Sequence, residues 1–335
     1  MLFSIIVPAY NVEKYIEECL ESIREQSFID FECIVVNDGS VDDTKRIVEK
    51  YAAEDSRFRI INKANGGLVS ARKAGCTAAQ GSYVLNVDGD DFIARDWLET
   101  IAGCILTNGE PDVIALGYTT WFKDGKSVPM RNHFTDGLYL GDHLELIKRN
   151  FLAFPREKNL YGIVYSLCCK AVKRELLVIY QLAVLDDLSI GEDVAVTFPL
   201  FLNVNSVVIC NYCGYYYRQS TLSLMHSEKA RSVDEMHQLF RYLTHWTSEE
   251  DEMQLGLSCY FRCISIMVVR YRYGGGYKKE TVWMRENLFS SEEFQKIKGI
   301  SILDLDWKYR VVWMMLRIRF YFGIFLLCKM KNRMS

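Results

Sequence analysis

The chain has 335 residues, with 40 Lys and Arg against 43 Asp and Glu, a formal charge of −3, half of its residues apolar and 13% aromatic. Those values exclude a disordered chain, a collagen-like repeat and a small disulfide-stapled domain. Near-neutral charge also argues against the extended phosphate-binding surface that nucleic acids demand. At roughly 100–200 residues per domain, the length predicts one large α/β domain with an appendage, or two domains. Eleven cysteines, an odd number, and an N-terminus without a basic leader, a long apolar core or a small-residue cleavage site point to a reducing, cytoplasmic setting with free thiols.

In chain order, Phe3–Val7 is a continuous apolar run, as expected of a strand buried on both faces. Asn11 is placed to cap a helix running to about Gln26, whose apolar residues Val12, Tyr15, Ile16, Cys19, Leu20 and Ile23 recur at three- and four-residue spacing. A strand at Phe31–Val36, a turn at Asp38-Gly39-Ser40, a helix from about Asp42 to Ala53 and a strand at Phe58–Asn62 follow. A glycine turn at Gly66-Gly67, a helix to about Ala79 and a strand at Tyr83–Val87 complete the first hundred residues. This alternation predicts a parallel sheet covered by helices. Residues 101–225 are less regular, with strands expected near Val113–Tyr118 and Ser206–Cys210 and helices near Gly141–Phe151 and Glu192–Leu202. Beyond Glu228 the chain reads as helices, so the expected division is 1–225, itself split near residue 100, and 226–335.

Open parallel sheets bind ligands beyond the carboxyl ends of their strands. The residues there are Pro8-Ala9-Tyr10-Asn11, Asn37-Asp38-Gly39-Ser40, Asn65-Gly66-Gly67 with Arg72 shortly after, and Asp88-Gly89-Asp90-Asp91. All are polar, turn-forming or acidic, the chemistry that holds sugars, bases and metal ions. The chain has no Gly-rich Walker loop and no G-x-G-x-x-G after its first strand, which removes the main support for P-loop and dinucleotide-binding readings. Cys210-Asn211-Tyr212-Cys213 lacks a second pair at zinc-ribbon spacing, and together with Cys168-Cys169 it is read as buried thiol.

The phrases IIVPAYNVEKYIEECLESIREQ, FECIVVNDGSVDDT, NGGLVSARKAG, GSYVLNVDGDDFI and GEDVAVTFPLF, in that order, closely resemble the family-2 glycosyltransferases with the GT-A fold over about residues 1–220. The resemblance implies a Rossmann-like mixed α/β sheet with, here, a C-terminal helical extension. It implies inverting transfer of a sugar from a nucleotide donor, usually UDP-linked, to an acceptor hydroxyl. By position, Pro8, Ala9 and Tyr10 match the place where the first strand meets the uracil, with Tyr10 stacking on it. Asp38 matches the carboxylate that accepts from the base N–H, and Arg72 a residue near base and phosphates. Asp88-Gly89-Asp90 matches the family's D-x-D element, with Asp88 on the ribose, Asp90 the metal ligand and Asp91 in support.

That element also has an independent rationale, because alternation along an extended segment puts residues 88 and 90 on one side. A departing diphosphate builds negative charge that a hard Mg2+ or Mn2+ ion on carboxylate oxygen neutralises. Gly191-Glu192-Asp193 matches the catalytic element. An inverting displacement needs a base opposite the leaving group, and residues 192 and 193 lie about 100° apart around a helix, so one of them faces the site; the family pattern selects Asp193. Tyr215–Ser220 resembles the segment that follows the family's last strand and folds over the diphosphate, with Arg218 and Ser220 as phosphate contacts. His226 stands where some members place a further metal ligand.

Residues 301–335 carry seven basic side chains against two acidic ones, a net of +5, which leaves −8 on the first 300. The longest uncharged apolar stretch there is nine residues, too short to span a bilayer. Interleaved aromatic and basic residues suit an anionic headgroup region, so peripheral attachment to the cytoplasmic face and a lipid-linked saccharide acceptor of cell-surface polysaccharide assembly are expected. Packing on the catalytic domain or on a second subunit stays open. Two other classes compete: a sugar nucleotidyltransferase, which would need a Gly- and Lys-rich loop where PAYNVEKY stands, and a catalytically silent nucleotide-sugar-binding scaffold, against which both Asp90 and Asp193 argue.

Overall fold

The computed structural model describes residues 1–152, 162–188, 191–219, 233–248, 254–256, 258, 263, 266–267, 270–271, 276–291, 294–295 and 307–330. The chain divides into two compact units, Met1–Lys148 with Ile163–Ser223, and Arg149–Gly162 with Leu224–Ser335.

In the first unit, β1 (Phe3–Ala9) and β2 (Phe31–Asn37) are buried at every position, which explains their unbroken apolar character. They pair in parallel with each other, and β3 (Phe58–Asn62) and β4 (Tyr83–Asn86) extend the parallel set on either side. The chain then reaches β5 (Phe92–Ile93), β6 (Val113–Leu116), β7 (Tyr118–Trp121), β8 (Ser127–Met130), β9 (Gly137–Tyr139), β10 (Lys170–Lys173), β11 (Val207–Cys210) and β12 (Tyr215–Arg218). The main sheet runs β3-β2-β1-β4-β10-β6-β11-β9, with β10 antiparallel to both neighbours, so the sheet is mixed, and a second sheet runs β5-β12-β7-β8. Helices α1 (Ile16–Arg24), α2 (Thr44–Glu54), α3 (Gly67–Ala78), α4 (Trp97–Thr107), α5 (Gly141–Arg149), α6 (Arg174–Ala183) and α7 (Glu192–Asn203) accompany the strands. On α1, Ile16, Cys19, Leu20 and Ile23 form the buried stripe; each large apolar side chain so buried contributes about 1.5–3 kcal/mol.

Several sequence expectations are corrected. Asn11 does not cap a helix: it takes a left-handed conformation with φ of 52°, its Oδ1 accepts from the Val41 N–H at 2.9 Å, and α1 begins only at Ile16. An Asn side chain that bonds a neighbouring turn is lost to the helix end. The single strand expected at Val113–Tyr118 breaks at Gly117 and its halves join different sheets. A Cβ there would lie 2.7 Å from both Cys213 Sγ and Met130 O, so only glycine lets the chain cross between the layers. Tyr215–Arg218 is itself a strand, paired with β5 and β7, where the sequence reading has a segment beyond the last strand. The described cysteines are free.

In the second unit the described helices are Val233–Thr244, Tyr277–Asn287, Trp307–Arg317 and Tyr321–Met330. Met236, Phe240, Leu243, Tyr271, Met284 and Ile324 are among its buried residues, and the Tyr271 and Thr281 hydroxyls meet at 3.0 Å. Among the described residues no helix is long and apolar enough to cross a membrane.

Candidate active site

The acidic turn after β4 is shaped by backbone closure and by one residue of the second sheet. The Asp91 N–H donates to the Asp88 carbonyl at 2.9 Å. A Cβ on Gly89 would meet Pro8 O at 3.1 Å and Val12 Cγ2 at 3.2 Å, so glycine lets the turn press against the end of β1. Tyr215, buried on β12, accepts from the Asp88 N–H at 3.2 Å and donates to Asp91 Oδ2 at 2.5 Å, while the Arg218 N–H donates to Asp91 Oδ1 at 2.8 Å. Asp91 is thus committed to holding the turn, and burial, followed by Asp90 and Asp88, pushes its carboxyl well above the usual range. Burial and Asp88 push Asp90 up to about 6.

Arg72, on α3 and only 2% exposed, joins distant parts of the chain. Its Nη1 donates to Asp193 Oδ1 at 2.6 Å and its Nη2 to Asp88 Oδ1 at 3.1 Å. Burial alone would lower the guanidinium's proton affinity; Asp193 and Asp88 outweigh it and hold Arg72 above its ordinary value. The Cys168 thiol, pushed up by burial and then by Asp88, donates to Asp88 Oδ2 at 3.3 Å. Asp193 lies in the first turn of α7, as does Glu192, whose carboxyl is pushed up to about 7 by burial and then by Asp193. The D-x-D carboxylate and the α7 carboxylate, 105 positions apart, therefore share one guanidinium.

On the β1–β2 side, Asp38 is buried and its N–H donates to the Ala9 carbonyl at 3.0 Å. Its carboxylate accepts from Lys63 Nζ at 2.5 Å, from the Gly66 N–H at 3.0 Å and from the Gly67 N–H at 2.7 Å, where α3 begins. Pro8 and Ala9 are buried in β1, and Tyr10, just beyond it, is 48% exposed. Arg218 does not extend freely: its Nε donates to the Asp90 carbonyl at 2.9 Å, its Nη2 to Glu18 at 2.6 Å, and its guanidinium lies over the rings of Tyr15 and Phe92. Ser220 and His226 lie outside the described residues.

Four residues of this rim escaped the sequence reading as participants: Lys63, Cys168, Tyr215 and Glu18. Lys63 directly follows β3 and was open to the same strand-end logic; the others are brought in by helix and second-sheet packing that no local pattern announces. For a divalent cation, Asp88 is taken by Arg72 and Cys168 and Asp91 by Tyr215 and Arg218, which leaves the Asp90 carboxylate as the hard oxygen donor with charge to be neutralised. Among the described residues no group of three or more ligating side chains assembles. That donor set fits an ion held by one carboxylate and completed by phosphate oxygens and water, the habit of Mg2+ and Mn2+.

Residues 4–178 match the profile of Glycosyl transferase family 2. The uncharacterized glycosyltransferase EpsJ of Bacillus subtilis is 33% identical over 235 residues, covering 70% of this chain and 66% of that protein. The poly(ribitol-phosphate) beta-N-acetylglucosaminyltransferase TarS of Staphylococcus aureus is 30% identical over 223 residues, covering 65% of this chain and 35% of that protein. The chain thus spans less than two thirds of the length of either relative. The crystal structure of S. aureus TarS residues 1–349 superposes with a TM-score of 0.71 at 22% identity over 99% of this chain and 91% of that one, and its complex with UDP-GlcNAc with a TM-score of 0.63. At that identity the likeness is one of fold.

Proposed function

The chain belongs to glycosyl transferase family 2, and from that premise we propose that it moves a sugar from a UDP-linked donor to a hydroxyl of a saccharide or lipid-linked saccharide acceptor, with inversion, in bacterial cell-surface polysaccharide assembly. The observation that carries the reading is the Arg72 bridge between Asp88 and Asp193, which ties the strand-end acidic turn and the start of α7 to one guanidinium. UDP-GlcNAc, the ligand of a TarS structure of the same fold, is the first donor to test.

In this reading Tyr10 stacks on the base. Asp38 accepts the base N–H, its plane fixed by Lys63, Gly66 and Gly67. Asp88 meets the ribose and Asp90 holds Mg2+ or Mn2+, which when bound supplies charge neutralisation to the departing diphosphate. Asp193 takes the proton of the attacking hydroxyl, and Arg72 Nη1, 2.6 Å from its Oδ1, aims it. A carboxylate on the face opposite the leaving group is what an inverting displacement requires.

UDP release from UDP-GlcNAc and acceptor, followed with the full chain, tests the assignment. Asp193→Asn is expected to lose transfer by about 10²–10⁴-fold while binding UDP almost normally by calorimetry; an active variant would overturn it. Asp90→Ala is expected to abolish the gain in UDP affinity that manganese confers, and an unchanged gain would remove Asp90 from the ion.

A further inference from the structure

The second unit contains a cavity of about 610 Å³ where the helix Tyr277–Asn287 and the turn between the last two described helices meet. Arg285, Arg317 and Arg319 line it, and among the described residues no carboxylate does. Its aromatic walls hold the guanidinium groups by their faces: Arg317 lies 4.1 Å from the ring centre of Trp313 and Arg285 5.1 Å from that of Tyr321, which itself stacks on Phe289 at 4.9 Å. A face held in this way leaves the N–H edges of Arg285 for an anion. Among the described residues, neither Arg285 nor Arg319 has an ion-pair partner, in a segment whose sequence is already net positive.

The turn at the mouth of this cavity adds an independent observation. Helix Trp307–Arg317 closes with the Phe320 N–H on the Met315 carbonyl at 2.7 Å and the Arg319 N–H on the Leu316 carbonyl at 3.1 Å, the double bond of a Schellman ending. The residue at its left-handed position is Arg319, with φ of 57°, where glycine is favoured. Alternating with the arginines are apolar side chains turned to solvent: Ile318 is 74% exposed, Phe320 47% and Phe322 46%. A soluble ion needs no such fringe, whereas a bilayer surface offers phosphate to the arginines and acyl chains to the apolar tips.

We propose that Arg285 and Arg319 form a binding site for the phosphate of an anionic phospholipid, with Ile318 and Phe320 inserting beside it, so that the second unit docks on a negatively charged membrane surface. The proposal is independent of the transfer reaction, which belongs to the first unit.

The test is co-sedimentation of the full chain with phosphatidylglycerol–phosphatidylcholine vesicles and with phosphatidylcholine alone. Binding is expected only to the anionic vesicles and to weaken as salt rises. Arg319→Gly suits the left-handed turn and therefore keeps the fold; it should weaken binding about fivefold, and Arg285→Gln with Arg319→Gly roughly 25-fold, with the UDP-induced thermal shift unchanged. Ile318→Ser should weaken it too. Equal binding to neutral vesicles, or a double variant that binds like wild type, overturns the proposal. So does a melting-temperature rise with inorganic phosphate in a chain that binds no vesicle, which would assign the cavity to a soluble anion. Self-association by light scattering that the double variant abolishes, without vesicle binding, would assign it to a second copy and likewise overturn it.

Discussion

The two ends of the main sheet both bury charge, and they handle it differently. At the amino ends, Glu32 on β2 accepts from the Ser4 hydroxyl at 2.6 Å and the Gln80 N–H at 2.7 Å on one oxygen, and pairs with Arg59 at 2.9 Å on the other. Ser4 Oγ in turn accepts from the Gly81 N–H at 2.7 Å. The network is closed, and it ties the first two strands to the approach of β4. At the carboxyl ends, Arg72 Nε and Asn86 Oδ1 are buried without a partner among the described residues, Asp90 is pushed upward by burial and then by Asp88, and Asp91 by burial and then by Asp90 and Asp88. Buried polar groups are ordinarily satisfied, so capacity left over at the carboxyl ends is consistent with the donor site proposed there. Charge in a protein interior is thus not one phenomenon: the closed network staples strands, and the open one leaves polar capacity at the proposed site.

Substitutions at the two ends break or sharpen this contrast. The largest effect is expected for Arg72→Met, which strands Asp88 and Asp193 together. Losing one partner of a buried charge cluster costs about 3–5 kcal/mol, and the part exposure of both carboxylates brings this to about 2–4 kcal/mol. Urea unfolding at neutral pH measures it, and a loss below about 1 kcal/mol would mean that the bridge contributes no more than a surface pair.

Next is Glu192→Gln. Its carboxyl, ordinarily near 4.5, is pushed up to about 7 in the native state. At low pH both folded and unfolded chains carry the proton and the substitution is neutral. Between these values the unfolded chain releases its proton first, so the native penalty grows with pH and is complete above the folded value. The variant should be more stable than wild type by about 1–3 kcal/mol at alkaline pH, and thermal melts across the range would reveal a curve of the opposite slope if the assignment is wrong. The smallest effect is expected at the other end, where Glu32→Gln loses about 1–2 kcal/mol and leaves UDP affinity unaltered; an altered affinity would show that the closed network reaches the rim.

Much of this organisation is legible in one dimension because its causes are local. A strand covered on both faces must be apolar along its length, as β1 and β2 are, and the residues that follow such strands must be polar turn formers, which is why Asp38, Gly66 and the 88–91 turn stand out unaided. The second sheet was not legible. Phe92–Ile93 is too short to show a period, and Tyr215–Arg218 looks like a polar-aromatic loop until β5 and β7 flank it. Asn11 misled because capping and turn-tying use the same side-chain oxygen, and only the position of Val41 chose between them.

The amino-acid sequence by itself determined the layered α/β architecture, the family, and which residues end the strands, since alternation, burial and turn chemistry are properties of neighbours along the chain. Only the tertiary structure decided that Arg72 stands between Asp88 and Asp193, that Asp91 serves Tyr215, and that Arg218 is drawn to Glu18 and the Asp90 carbonyl. Each of those facts is a distance of a few ångströms between groups far apart in sequence, and electrostatic coupling follows distance in space.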